Sequence, residues 1–341
     1  MSGFSEGIPM SGTTRGIGFA LLAFAIYSGH DAIIKILGAN YSAFQLVWFT
    51  VLMSFPLTSV ILIRDTRPGT LRPVHPWWML VRTLASVVAA GCGFYAFSVL
   101  PLADVYAILF ATPLLITVLS IPILGEKVRL RRWLAVLVGL AGVAVVLQPG
   151  KSELSMGHFA AMGGAACGAL ASVIVRKIGR EERNVVMLIY PLIANFVLMG
   201  GLMALPGNFA EVPLPHMGGF FAVAALSTVA MLLMIAAYSN AEAALIAPMQ
   251  YSQILWATFY GWLLFNELPG MNTAAGSVLI IGSGLYIVFR ESRPGSASIQ
   301  PVLRTRNRTG TPAALRVGPL MRMISTRAKT VAGSPGTRRN A

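Results

Sequence analysis

The chain has 341 residues, of which 56% are hydrophobic and 11% charged, with a formal net charge of +14. Soluble domains carry roughly 25% charged residues, so this composition excludes an ordinary globular enzyme and points to an integral membrane protein. The positive charge is no argument for nucleic acid, because from Arg290 onward there are eleven basic residues and one acidic one, and ten of the fourteen net charges therefore sit in the C-terminal tail.

The opening segment, MSGFSEGIPMSGTTRG, lacks a basic stretch followed by a cleavage site, so no cleaved signal peptide is expected. Ten apolar runs follow, at 17–37, 43–63, 77–100, 104–124, 130–147, 157–176, 185–205, 218–239, 244–265 and 273–289. Each approaches the length of about 20 residues that crosses a bilayer as a helix. The runs lack the alternation of barrel strands, and helices satisfy their own backbone in lipid, so an all-α membrane protein is expected.

The first run carries Tyr27, Ser28, Gly29, His30 and Asp31, then Lys35. Ionisable groups at membrane depth are costly and mark functional positions. Helical spacing puts Ser28, Asp31 and Lys35 on one face, with Asp31 and Lys35 four apart and able to pair. Two readings stand: Asp31, with His30, meets a substrate or a coupling proton, or Asp31 and Lys35 form a structural ion pair. In either case that face turns toward protein or water.

In the third run, Arg82 lies one turn inside and is expected to snorkel to the cytoplasmic face. Tyr95, and Tyr238 in the eighth run, are weaker binding candidates. The fourth run offers Tyr106, Phe110, Thr112 and Pro113. In the ninth, Gln250, Gln253 and Ala257 share a face flanked by Tyr251 and Ser252, and Pro248 weakens the helix and frees carbonyls toward a cavity. Amides and aromatic rings together hold a polar planar ligand; hydrogen bonding between helices is the alternative.

Sliding the sequence against itself until Ala96 falls on Ala237 also places Gly16 on Gly157, Lys35 on Arg176, Leu114 on Leu255 and Glu126 on Glu267. This internal duplication predicts an N-terminal cytoplasmic segment (1–14), a first five-helix repeat (15–147), a linker (148–156), a second repeat (157–290) and a basic disordered tail (291–341). Basic residues concentrate in the loops that are cytoplasmic when the N-terminus is inside, among them Arg64, Arg67, Arg72, Lys127, Arg129, Arg131, Arg132, Arg176, Lys177, Arg180 and Arg183. Both termini are thus expected in the cytoplasm. Five spans per repeat is odd, so the repeats are inverted, as in secondary transporters.

Other residues have plainer readings. Glu126 and Glu267 follow the ends of spans and read as caps or loop anchors, and Asp104 and Glu242 favour helix N-termini. Cys92 and Cys167 read as small packing residues with no disulfide. His75 and His216 coincide in the repeat without any metal-ligand spacing, so no metal is expected. Ser28 and His30 are two apart, facing different sides of a helix, and no G-x-S-x-G accompanies them, which argues against an intramembrane enzyme. There is no phosphate-binding G-x-x-x-x-G-K-[ST], and no cofactor is expected. Expected partners are a small-molecule substrate and the lipid bilayer, with no nucleic acid; glycine- and alanine-rich helix faces permit a homodimer.

Ten spans, the five-helix duplication, Leu124-Gly125-Glu126 and Phe265-Asn266-Glu267 with glycine-rich helices after each resemble the EamA branch of the drug/metabolite transporter superfamily. Asn266 departs from that branch's usual glycine. The resemblance implies a multi-pass carrier of the bacterial inner membrane, with a mid-membrane cavity lined by spans one, three, four, six, eight and nine. Carried onto this chain, it supports Asp31, Tyr95, Tyr106, Thr112, Gln250 and Gln253. Within the family, His30-Asp31 with Lys35, the stretch Arg72 to Trp78 and the stretch Phe94 to Leu102 look most like bacterial riboflavin importers. The D-x-x-x-K pattern also looks like S-adenosylmethionine uptake carriers.

Overall fold

The structure, a computed structural model, describes residues 12–63, 71–126, 130–148, 154–179, 181–241 and 243–291. The expected N-terminal segment up to residue 11, the basic tail from residue 292, and Arg64, Arg67, Lys127, Arg129, Lys151, Arg180 and Glu242 lie outside the described residues.

The regular secondary structure is all helical, with no strand among the described residues. In chain order they form α1 (Gly12–Gly38), α2 (Ala43–Ile63), α3 (Pro76–Val99), α4 (Leu102–Leu109), α5 (Thr112–Leu124), α6 (Leu130–Leu147) and α7 (Met156–Ile178), then α8 (Asn184–Met203), α9 (Leu214–Asn240), α10 (Ala243–Ile246), a 3₁₀ segment (Ala247–Ser252), α11 (Gln253–Phe265) and α12 (Met271–Glu291). Among the described residues six stretches are long and apolar enough to cross a bilayer: Thr14–Gly38, Pro76–Val99, Leu102–Leu124, Met156–Ile178, Val185–Met203 and Leu214–Asn240. Shorter apolar helices cover Ala43–Pro56, Trp133–Leu147 and Met271–Ile287. Large apolar side chains such as Leu130, Leu255 and Val278 stand on the outer surface, a pattern that suits lipid and not water.

The fourth and ninth apolar runs are not single helices. Pro113 has no amide to offer the Leu109 carbonyl and its ring crowds it, so α4 stops at Leu109 and α5 starts afresh at Thr112. Pro248 acts likewise in the ninth run, where the chain tightens into the 3₁₀ segment before α11. α5 and α11 then end alike. Gly125 (φ 71°) and Asn266 (φ 56°) both adopt the left-handed conformation, which glycine and asparagine tolerate best. The next amides close the turns, Glu126 N–H to the Ser120 carbonyl at 3.4 Å and Glu267 N–H to the Gly261 carbonyl at 3.0 Å. The L-G-E and F-N-E motifs are therefore helix stops that project a glutamate.

The most extensive helix contacts are α1 on α9, α7 on α3 and α12 on α6. Where α6 crosses α12, Gly142 and Gly276 meet backbone to backbone: a Cβ on Gly142 would lie 2.8 Å from the Gly276 carbonyl oxygen, and one on Gly276 2.5 Å from that of Gly142. Close approach through small residues is how helices pack when lipid gives no hydrophobic drive.

Arg82 does not snorkel. Its side chain is buried, and Nη1 donates to the Met187 carbonyl of α8 at 2.8 Å. That carbonyl would ordinarily take the amide four residues on, but residue 191 is proline and has none. Arg82 fills the vacancy that Pro191 leaves.

Candidate functional site

Three elements bring polar groups together in the core. α1 supplies Ser28, His30 and Asp31, α4 supplies Tyr106 one turn before its break, and α11 supplies Gln253 as its first residue. The two broken runs therefore meet α1 at their irregular points. Asp31 is 3% exposed. Its Oδ1 lies 2.7 Å from His30 Nδ1, and its Oδ2 accepts the Tyr106 hydroxyl hydrogen. The Tyr106 oxygen in turn accepts from Ser28 Oγ at 3.3 Å and from Gln253 Nε2 at 3.4 Å. Its one donor and both lone pairs are thus engaged.

Aromatic rings border this group. Phe97 and Tyr106 have centroids 5.4 Å apart, Tyr106 and Phe110 6.0 Å, Phe110 and Tyr251 5.2 Å, and the His30 ring meets the edge of Phe94 at 6.3 Å. A carboxylate, an imidazole, a phenol and an amide beside a row of rings can recognise a planar ligand with polar edges, and the carboxylate and imidazole can exchange a proton.

The other expected residues lie elsewhere. The local Asp31–Lys35 pairing is corrected: Lys35 Nζ donates to Glu267 Oε1 and Oε2 at 2.6 and 2.7 Å and to the Leu100 carbonyl at 2.8 Å. Long-range packing brings α11's end closer to Lys35 than its own helix brings Asp31. Tyr95 of α3 is 38% exposed and is not part of the hydrogen-bonded group around Tyr106, while its neighbours Phe94 and Phe97 are buried in the core. Gln250 is half-buried in the 3₁₀ segment and Thr112 half-buried at the first turn of α5; neither belongs to the hydrogen-bonded group around Tyr106. Sequence reasoning missed the ring partners Phe94 and Phe97, because one step along a helix rotates a side chain by about 100°. Asp104, read as a helix-start carboxylate, accepts the Thr273 hydroxyl at 2.6 Å and ties α4 to α12.

An all-helical bundle with a lipid-suited exterior and a buried polar group spanning several helices defines a multi-pass membrane protein. The chain belongs to the EamA-like transporter family, whose profile matches it twice, over residues 14–148 and 155–289. It is 25% identical over 287 residues to an S-adenosylmethionine uptake transporter of Rickettsia bellii, covering 83% of this chain and 97% of that protein. It is 27% identical over 271 residues to the pseudopaline exporter CntI of Pseudomonas aeruginosa, covering 78% and 93%. A riboflavin transporter of Rhizobium johnstonii is 24% identical over 271 residues, covering 75% and 89%. A solved crystal structure aligns with a TM-score of 0.54 at 19% identity, covering 83% of this chain and 99% of its own, which shows a shared fold. The chain is a membrane transporter of small metabolites and not an enzyme.

Proposed function

We propose that this chain is a secondary importer of the bacterial inner membrane that carries a small metabolite with a fused heteroaromatic ring, riboflavin being the first substrate to test. The observation that carries the reading is the buried group of Asp31, His30, Tyr106 and Gln253. In the register that superposes the two halves, the positions opposite His30, Asp31 and Tyr106 hold Ala171, Ser172 and Ala247. The second half fills these places without an ionisable group, so helix packing alone does not call for one. In this reading Tyr106 and Gln253 engage the polar ring edge, the neighbouring aromatic rings take its faces, and Asp31 with His30 holds the coupling proton.

The reading includes ten membrane crossings, five from each of two inverted repeats at 15–147 and 157–290, with both termini cytoplasmic. Contacts that recur in the two halves support it. A Cβ on Gly16 would lie 2.6 Å from Ala241 Cβ, and one on Gly157 would lie 2.8 Å from Leu100 Cγ. Glu182 Oε1 accepts the His75 amide at 2.7 Å, while Tyr41 Oη and His216 Nδ1 lie 2.5 Å apart. The register that aligns the halves carries Gly16 onto Gly157, Leu100 onto Ala241, Tyr41 onto Glu182 and His75 onto His216.

S-adenosylmethionine is a second substrate reading, favoured by the Rickettsia relative and by the buried carboxylate, which suits a sulfonium cation. Uptake of labelled riboflavin and of labelled S-adenosylmethionine, in bacteria unable to take up either and expressing this chain, separates the two. Saturable riboflavin uptake lost in Gln253→Ala supports the first reading. Uptake of S-adenosylmethionine alone replaces it with the second, and uptake of neither, with the protein in the membrane, removes both substrates.

A further inference from the structure

Two ion pairs in this molecule are copies of one another across the duplication. Lys35 of α1 holds Glu267, which follows α11, and Arg176 of α7 donates through Nη2 to Oε1 of Glu126, which follows α5. The register that aligns the halves carries Lys35 onto Arg176 and Glu126 onto Glu267. Each cation therefore reaches into the opposite half, and each glutamate is projected by the left-handed helix stop described above.

Each pair closes three elements. Around Lys35, the ammonium also binds the Leu100 carbonyl at the α3–α4 junction and lies 4.9 Å over the Phe265 ring. Around Arg176, the adjacent Lys177 binds the Ile123 carbonyl at 2.9 Å and lies 4.2 Å over Trp78 of α3. Both cations are sheltered, with side chains 10% and 7% exposed, while their glutamates are 30% and 26% exposed and reachable by water. Lys35 sits one helical turn, about 6 Å, beyond Asp31 along α1. The pair it makes therefore lies between the polar group and that end of the bundle.

We propose that the two pairs are the latches of alternating access: Lys35–Glu267 closes the path from one membrane face, Arg176–Glu126 closes it from the other, and transport opens one at a time. This rests on the transporter reading and its inverted repeats. A helix anchor with no gating role would loosen the bundle generally, whereas a latch favours one access state over the other. Glu267 and Glu126 are the exposed members, so their neutralisation releases each latch while the charge-swapped pair rebuilds it.

The test uses full-length protein with Cys92→Ala and Cys167→Ala and a reporter Ser28→Cys beside Tyr106, in right-side-out and inverted membrane vesicles. A membrane-impermeant methanethiosulfonate reports access from each side. Glu267→Gln is expected to raise the labelling rate from the outer side by about tenfold and not from the inner side, with Glu126→Gln doing the reverse. Lys35→Glu combined with Glu267→Lys is expected to return the rate to that of the reporter parent. Equal changes on both sides, or none, would overturn the latches even with Asp31-dependent uptake intact. Side-selective labelling with no uptake of either tracer would instead remove the substrate reading and leave the latches standing.

Discussion

Tyr106 donates its phenolic hydrogen to Asp31 across the α1–α4 contact, and the same oxygen receives Ser28 and Gln253. One phenol thus links α1, α4 and α11 at the points where the fourth and ninth runs break. Tyr106→Phe keeps the packing against Phe97 and Phe110 and deletes the link. Leaving buried polar groups short of a partner costs about 1–3 kcal/mol. A lowered Tm in detergent is expected, together with a weakened ligand Kd. An unchanged Kd would separate Tyr106 from the binding site.

Arg82 and Pro191 are coupled through the Met187 carbonyl, although they lie on different helices. Arg82→Met orphans that carbonyl and is expected to lower stability by about 1–3 kcal/mol. Pro191→Ala restores an amide in reach of it, so Arg82→Met should cost less in that background. A double-mutant cycle on thermal unfolding measures the difference. Strict additivity would show that Arg82 is held there for another reason.

Gly284 gives Tyr251 its place: a Cβ at Gly284 would lie 1.7 Å from Tyr251 Oη and 2.7 Å from its Cζ. Gly284→Ala is therefore expected to reduce the yield of folded protein sharply. The Tyr251 hydroxyl is buried and has no hydrogen-bond partner among the described residues. Tyr251→Phe should accordingly be at least as stable as the parent in a melting experiment, since it removes a polar group that gains nothing from burial.

Much of the bundle was legible as apolar length, because a bilayer demands it, and the breaks in the fourth and ninth runs were foreshadowed by Pro113 and Pro248. Rotation of each helix was harder to read. A membrane helix is apolar toward lipid as well as toward its neighbours, so periodicity does not separate Phe94, which is buried, from Tyr95, which is exposed. Pairing failed for a related reason. Spacing along α1 offered Asp31 as the neighbour of Lys35, whereas its partner Glu267 is 232 positions away. Sliding the sequence against itself already set Lys35 opposite Arg176 and Glu126 opposite Glu267, but such an alignment does not say which of the four residues pair. Asp31, His30, Ser28, Tyr106 and Gln253 stood out because polar groups are scarce at membrane depth, and these five are the ones that meet.

The most direct test of the account compares binding with accumulation in Asp31→Asn, using purified protein in proteoliposomes with an imposed pH gradient and labelled riboflavin. The asparagine keeps the shape of the site and cannot carry the proton. The account predicts ligand binding close to that of the parent and no concentrative uptake. Uptake that still follows the pH gradient in Asp31→Asn would contradict it.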